Sequence, residues 1–262
     1  MTRRRRERAD LLLVKQGLAP SRSKAQALIM AGSVWMGQER VDKPGTLMAS
    51  DSALEVRAAP RFVSRGGDKL DHGCERFAAH GLSVEGRVCA DIGASTGGFT
   101  DCLLQRGAAR VHAVDVGYGQ LDAKLRTDGR VIVRERVNAR HLERGDLGEP
   151  IELCVVDASF IGIGKLLPAI AAILAPEGEL VALVKPQFEA GRTEVARSKG
   201  VIRDESVRQR ALQRAREAIA AAGFDIVAEV DSPIRGPKGN LERLVYARRA
   251  APGQRVGQPA PS

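Results

Sequence analysis

The stretch Val88-Cys89-Ala90-Asp91-Ile92-Gly93-Ala94-Ser95-Thr96-Gly97-Gly98-Phe99 constrains the fold more than any other. A short apolar run suited to a buried strand passes into a cluster of small residues, and a helical pattern comes next. Such a strand–turn–helix junction offers bare backbone to a ligand where a parallel strand ends. Asp115 comes 22 residues after Gly93, at the end of the apolar run Val111–Val114. An acidic side chain at that place can accept both hydroxyls of a ribose. Together the two features predict a cofactor that contains a nucleoside.

The glycine spacing separates the candidate cofactors. A dinucleotide fold asks for G-x-G-x-x-G, whereas Gly93, Gly97 and Gly98 leave Ser95 in the place of the middle glycine. Asp91 also stands where that fold usually has an apolar residue. The run Asp-x-Gly-Ala-x-x-Gly-Gly-Phe instead resembles the first motif of S-adenosylmethionine-dependent methyltransferases. The resemblance implies that Asp91, Gly93, Ala94, Ser95, Thr96, Gly97, Gly98, Phe99 and Asp115 hold S-adenosylmethionine. It also implies an added antiparallel strand, which Leu244–Tyr246 can supply.

Around this junction, apolar runs alternate with helical patterns. The runs are Val88–Ile92, Arg110–Val114, Val131–Val133, Leu153–Val156 and Leu180–Val184, then Val227–Val230 and Leu244–Tyr246 after the amphipathic stretch Asp204–Ala222. Strands alternating with helices predict a Rossmann-like α/β domain, a mostly parallel sheet covered on both faces. Its expected span is 64–248. Residues 249–262, rich in Pro, Gly and Gln, read as a disordered tail.

The first 60 residues differ in character. They hold 11 Lys/Arg against 6 Asp/Glu, in a chain of net charge +9. Such a concentration of positive charge points to a polyanion, and nucleic acid is the commonest one. Residues 1–8 read as a mobile basic arm. Ala9–Gln16 reads as a short helix. A second helix starts at Ser21 or Ser23, with Ala25, Leu28 and Ile29 on one face. Val34–Val41 alternates around Gly37, and Leu54–Val56 makes a last short strand. A small α+β unit over 7–58 is expected, joined by a linker at 59–63. Gly17–Ala25 and Ala31–Val34 resemble the RNA-binding module of ribosomal protein S-four, the alpha-L motif. That likeness implies recognition of structured RNA by shape and phosphate, with Arg22 and Lys24 on the contact face.

The four cysteines, Cys74, Cys89, Cys102 and Cys154, form no CxxC pair and read as buried reduced thiols in a cytoplasmic protein. No metal site is expected. Neither a membrane-length apolar run nor a barrel-like alternation is present, so no membrane partner is expected.

Residues just beyond the strands narrow the acceptor. Val155-Val156-Asp157-Ala158-Ser159-Phe160 lacks the prolines of base-nitrogen methyltransferases, and no Pro-Cys pair offers a nucleophile for cytosine carbon. A hydroxyl remains, and it needs a base and a positive environment. Asp157, Lys185 and Glu242 lie at ends of predicted strands, and Lys69 precedes the first strand. Ser64-Arg65-Gly66-Gly67-Asp68-Lys69-Leu70 resembles the signature of FtsJ-like ribose methyltransferases. Lys69, Asp157, Lys185 and Glu242 fill that family's Lys-Asp-Lys-Glu tetrad in order. With the alpha-L module in front, residues 7–248 resemble the TlyA (haemolysin-A) family of ribosomal RNA 2′-O-methyltransferases. The resemblance implies methylation of cytidine ribose in ribosomal subunits. One departure is Phe62, where relatives often carry Trp. Lys185 is the expected activator of the hydroxyl, as base or as stabiliser of the alkoxide. Arg6, Arg65, Lys199, Lys238 and Arg243 are further candidates for RNA phosphates. The competing readings are a cytolysin, after the family's other name, and an inactive ribosome-binding protein.

Overall fold

The computed structural model describes residues 6–37, 39–57, 60–191, 194, 198 and 200–250. It divides after Arg61 into two units. The first contains β1 (Arg6–Arg8), α1 (Ala9–Lys15), α2 (Arg22–Met30), β2 (Val34–Met36), β3 (Glu39–Arg40), β4 (Leu47–Ala49) and β5 (Glu55–Val56). Ser21 caps α2, its hydroxyl accepting from the Lys24 amide at 3.3 Å. Leu12, Leu13, Ile29, Val34, Met48 and Leu54 close a small core. Each large aliphatic side chain buried there contributes about 1.5–3 kcal/mol.

The basic arm is shorter than expected. Arg6–Arg8 forms β1 and pairs antiparallel with β4, Arg6 opposite Ala49. An Arg-Glu-Arg edge strand is held by backbone bonds and buries little, so its side chains carry no strand signal. The rest of the arm, residues 1–5, lies outside the described residues, as do residue 58, the last of the expected unit, and residue 59, the first of the expected linker.

The second unit begins with α3 (Arg65–Ala78), an element absent from the expected set. Its Gly66-Gly67 start suggests a turn, but Gly67 is explained by packing. A Cβ there would sit 2.2 Å from Cγ of Phe62, which is itself buried. Phe62 is thus core of the second unit. After α3 come β6 (Val88–Ile92), α4 (Gly98–Gln105), β7 (Arg110–Asp115), α5 (Ala123–Arg126), β8 (Val131–Glu135) and β9 (Ile151–Val156). They are followed by α6 (Leu167–Ile173), β10 (Leu174–Val184), α7 (Pro186–Glu189), α8 (Glu205–Ala221), β11 (Phe224–Asp231) and β12 (Arg243–Arg249).

Seven strands form one sheet in the order β11-β12-β10-β9-β6-β7-β8. β12 runs antiparallel to both neighbours, and β6 to β10 are parallel. β12 contains Leu244–Tyr246, the strand expected to be antiparallel, and continues to Arg249, one residue beyond the expected domain end. Residues 251–262 of the expected tail are outside the described residues. Aliphatic clusters cover both faces of the sheet. The chain winds outward from β6 to β8, then returns to place β9 on the other side of β6. Ile92 is registered with Val156, so Gly93 and Asp157 leave the sheet side by side at the switch point.

Candidate active site at the switch point

Two cavities open at this place. The smaller, about 270 Å³, is polar: the first turn of α3, the Gly93–Phe99 turn, Asp157, Ser159, Lys185, Pro237 and Glu242 line it. The larger, about 570 Å³, is more apolar and lies beside Asp115, Val116, Val137, Ala139, Ile161 and Leu166. Gly93, Ser95, Asp157 and Ser159 border both.

Close backbone approach makes the shared wall. Gly93 has φ +86°, and a Cβ on it would lie 3.0 Å from Ala158 Cα. Only glycine fits such a turn without displacing the Asp157–Ala158 backbone. Of the residues expected to hold the cofactor, Gly93, Ala94, Ser95, Thr96, Gly98 and Phe99 line the polar cavity, and Asp115 lines the apolar one. Asp115 also accepts from the amides of Ser95 (2.8 Å) and Gly117 (2.6 Å).

Two of that set lie behind the wall. Asp91 is fully buried and lines neither cavity; its Oδ2 accepts from the Thr100 amide (2.9 Å) and hydroxyl (2.7 Å). Burial pushes its carboxyl up to about 7, against the lowering effect of Thr100. Asp91 therefore anchors the first turn of α4. Gly97 is needed for packing, because a Cβ there would meet Leu125 Cδ1 at 2.2 Å.

The four charged candidates meet in the polar cavity, although Lys69 and Glu242 are far apart in the chain. Lys69 sits on α3, well before β6, where the helical repeat groups it with Arg65 and Gly66. Its Nζ donates to Glu242 Oε2 at 2.6 Å, in a pair with side chains 9% and 1% exposed. Lys185, at the end of β10, has three oxygens around Nζ. They are the Asp157 carboxylate (Oδ1, 2.6 Å), the Ser159 hydroxyl (2.9 Å) and the Asp157 carbonyl (3.2 Å). The carboxylate contact is an ion pair without hydrogen-bond geometry, so Asp157 Oδ1 is buried without a hydrogen-bond partner, and Glu242 Oε1, the oxygen turned away from Lys69, is buried without one too. Ser159 and Ser64 join the site from outside the expected set; a short hydroxyl just beyond a strand or helix end carries no pattern of its own.

The expected RNA residues fare differently. Arg65 is exposed at the polar cavity, and Lys24 and Lys238 are exposed. Arg6 donates to the Leu47 carbonyl at 3.1 Å, and Arg22 is paired through Nε with Asp10 at 3.0 Å. Arg243 is bound to Asp231 and Glu229, which ties β12 to β11. Lys199 lies outside the described residues. All four cysteines are buried and free. Burial pushes the Cys89 thiol up to about 12 and Cys154 higher still, which disfavours the thiolate form that a nucleophile needs.

Residues 62–249 match the FtsJ-like methyltransferase family, and residues 7–48 match the S4 domain. The chain belongs to the FtsJ-like methyltransferase family, in its TlyA group. It is 44% identical to the 16S/23S rRNA (cytidine-2′-O)-methyltransferase TlyA of Mycobacterium tuberculosis, over 93% of this chain and 90% of that protein. Hemolysin A of Brachyspira hyodysenteriae is 42% identical, over 91% and 98%. A solved structure from Streptococcus thermophilus with a provisional hemolysin name is 42% identical, with TM-score 0.71, covering 95% of this chain and 90% of that one. No helix among the described residues of this FtsJ-like chain is long and apolar enough to cross a membrane.

Proposed function

We propose that the chain methylates the 2′-oxygen of a cytidine in ribosomal RNA, acting in the cytoplasm on ribosomal subunits, the small one or both. The observation that carries this reading is the convergence of Lys69, Asp157, Lys185 and Glu242 in one cavity beside the Gly93–Phe99 turn.

The residues fit S-adenosylmethionine. Its amino-acid end suits the polar cavity and its nucleoside the apolar one, where Asp115 would hold the ribose hydroxyls, and Gly93 and Ser95 are common to both. When bound, it supplies a methyl group activated on a sulfonium. The chain's own side chains then prepare the acceptor. Glu242 Oε1 or Asp157 Oδ1, both buried without hydrogen-bond partners, can accept from the single O–H of a hydroxyl brought into the cavity. Lys185 activates that hydroxyl, either by taking its proton as a base or by stabilising the alkoxide while one of these carboxylates takes the proton, and the ammonium of Lys69 adds positive charge where the oxygen becomes anionic. Asp157 and Ser159 hold Lys185 in place.

Incubation of purified ribosomal subunits with labelled S-adenosylmethionine, followed by mapping of the modified nucleotide, tests the reading. Label on a cytidine ribose is the expected result. Label on a base, or none in either subunit, overturns it.

A further inference from the structure

Asp10 lies on the first turn of α1 with 0% exposure, and four donors surround its carboxylate. Oδ1 accepts from Arg8 Nε at 2.9 Å. Oδ2 accepts from Arg8 Nη2 (2.9 Å), Arg22 Nε (3.0 Å) and Gln26 Nε2 (2.8 Å). The hydrogen bonds from Arg8 hold the carboxyl well below the usual carboxylate range. The two arginines come from β1 and α2, and their side chains remain 40% and 54% exposed.

Stability alone does not account for that arrangement. Burying a carboxylate is costly, and an apolar side chain of similar size would serve a small core as well. The geometry has another effect. Arg22 is held edge-on through Nε, and its two terminal nitrogens have no hydrogen-bond partner among the described residues. These two nitrogens form the fork that binds a phosphate oxygen pair. Arg8 is gripped through Nε and Nη2, with Nη1 lying over the Gly45 turn. One buried anion thus fixes the direction of two partly exposed cations.

We infer that Asp10 is a positioning residue for RNA, aiming Arg22 and Arg8 at a phosphodiester as one site on the N-terminal unit. The inference rests on the reading of an RNA acceptor. Pre-orientation removes the rotamer freedom that a surface arginine otherwise loses on binding.

Asp10→Asn separates this role from plain electrostatics, because the two predict opposite signs. Removing a negative charge by itself strengthens attraction to RNA. Loss of positioning weakens it. The full chain and its variants are titrated against purified ribosomal subunits in a filter-binding salt series. Asp10→Asn is expected to bind about tenfold more weakly, the loss of one charge-assisted contact. The slope of log affinity against log salt falls by about 1. Arg22→Lys, which keeps the charge and the buried carboxylate, is expected to do the same. The double variant should be no weaker than the weaker single one.

Unchanged or tighter binding by Asp10→Asn overturns the inference while leaving the methylation reading intact. Where Asp10→Asn melts the unit, seen by circular dichroism, Arg22→Lys decides, and full affinity in that variant overturns the inference. Wild-type protein that binds neither subunit overturns both.

Discussion

Replacing Lys69 with Met asks whether the buried pair with Glu242 is structural, catalytic or both. The two side chains are 9% and 1% exposed and meet at 2.6 Å. Removing one partner leaves an uncompensated buried charge, which costs about 3–5 kcal/mol. For a unit of this size the melting temperature falls about 2–4 °C per kcal/mol, so a drop of about 6–20 °C is expected. Glu242→Gln should lower it similarly. The double variant Lys69→Met/Glu242→Gln removes both charges and should recover most of that stability, because replacing a whole buried pair is often close to neutral. Methyl transfer should stay lost in all three. Thermal unfolding of the full chain and incorporation of labelled methyl, measured on the same samples, give the two readouts. A Lys69→Met variant within about 1 kcal/mol of wild type refutes the burial reasoning. A stable double variant that methylates reduces the pair to scaffolding.

Three further outcomes are expected. Lys185→Ala should abolish methyl incorporation while calorimetric binding of S-adenosylmethionine stays within a few-fold of wild type; retained turnover rejects its assignment. Asn240, 2% exposed, accepts from the Ile202 amide (2.8 Å) and donates to the Gly200 carbonyl (2.9 Å), two residues before Glu242. Asn240→Ala leaves both backbone groups unpaired at about 1–3 kcal/mol each, so kcat and stability should fall together. Loss of neither shows that the loop keeps Glu242 in place without it. Asp91 titrates near 4 when unfolded and about 7 when folded, so the folded chain keeps a proton that the unfolded chain has released. Its effect is to lower stability as pH rises from about 4 to about 7, with no further change above. Asp91→Asn should flatten that fall, and a difference from wild type that is the same in urea unfolding at pH 5 and pH 8 contradicts this.

Local pattern determines a good deal of this protein. Apolar runs ending in small residues foretell β6 and its turn, because a parallel strand buried on both faces must be apolar throughout. The missing middle glycine at Ser95 distinguishes one nucleoside cofactor from another within a few residues. Motif likeness places Lys69, Asp157, Lys185 and Glu242, since each is tied to a local strand or helix end.

Other features depend on partners remote in sequence, and only the tertiary structure decides them. Helix α3 is hidden by glycines that its packing requires: Gly67 against Phe62, and Gly73, where a Cβ would meet Leu244 Cδ1 at 3.0 Å. Asp91 and Gly97 stand in the cofactor motif but support it from behind, a difference set by which way a short turn faces. Arg243 reads as a phosphate contact until Asp231 and Glu229 are seen beside it. The pairing of Lys69 with Glu242 and the gathering of Arg8, Arg22 and Gln26 around Asp10 obey the same rule. Periodicity shows which face of an element is buried, but the charge that meets another across the fold is chosen by the packing that brings their elements together.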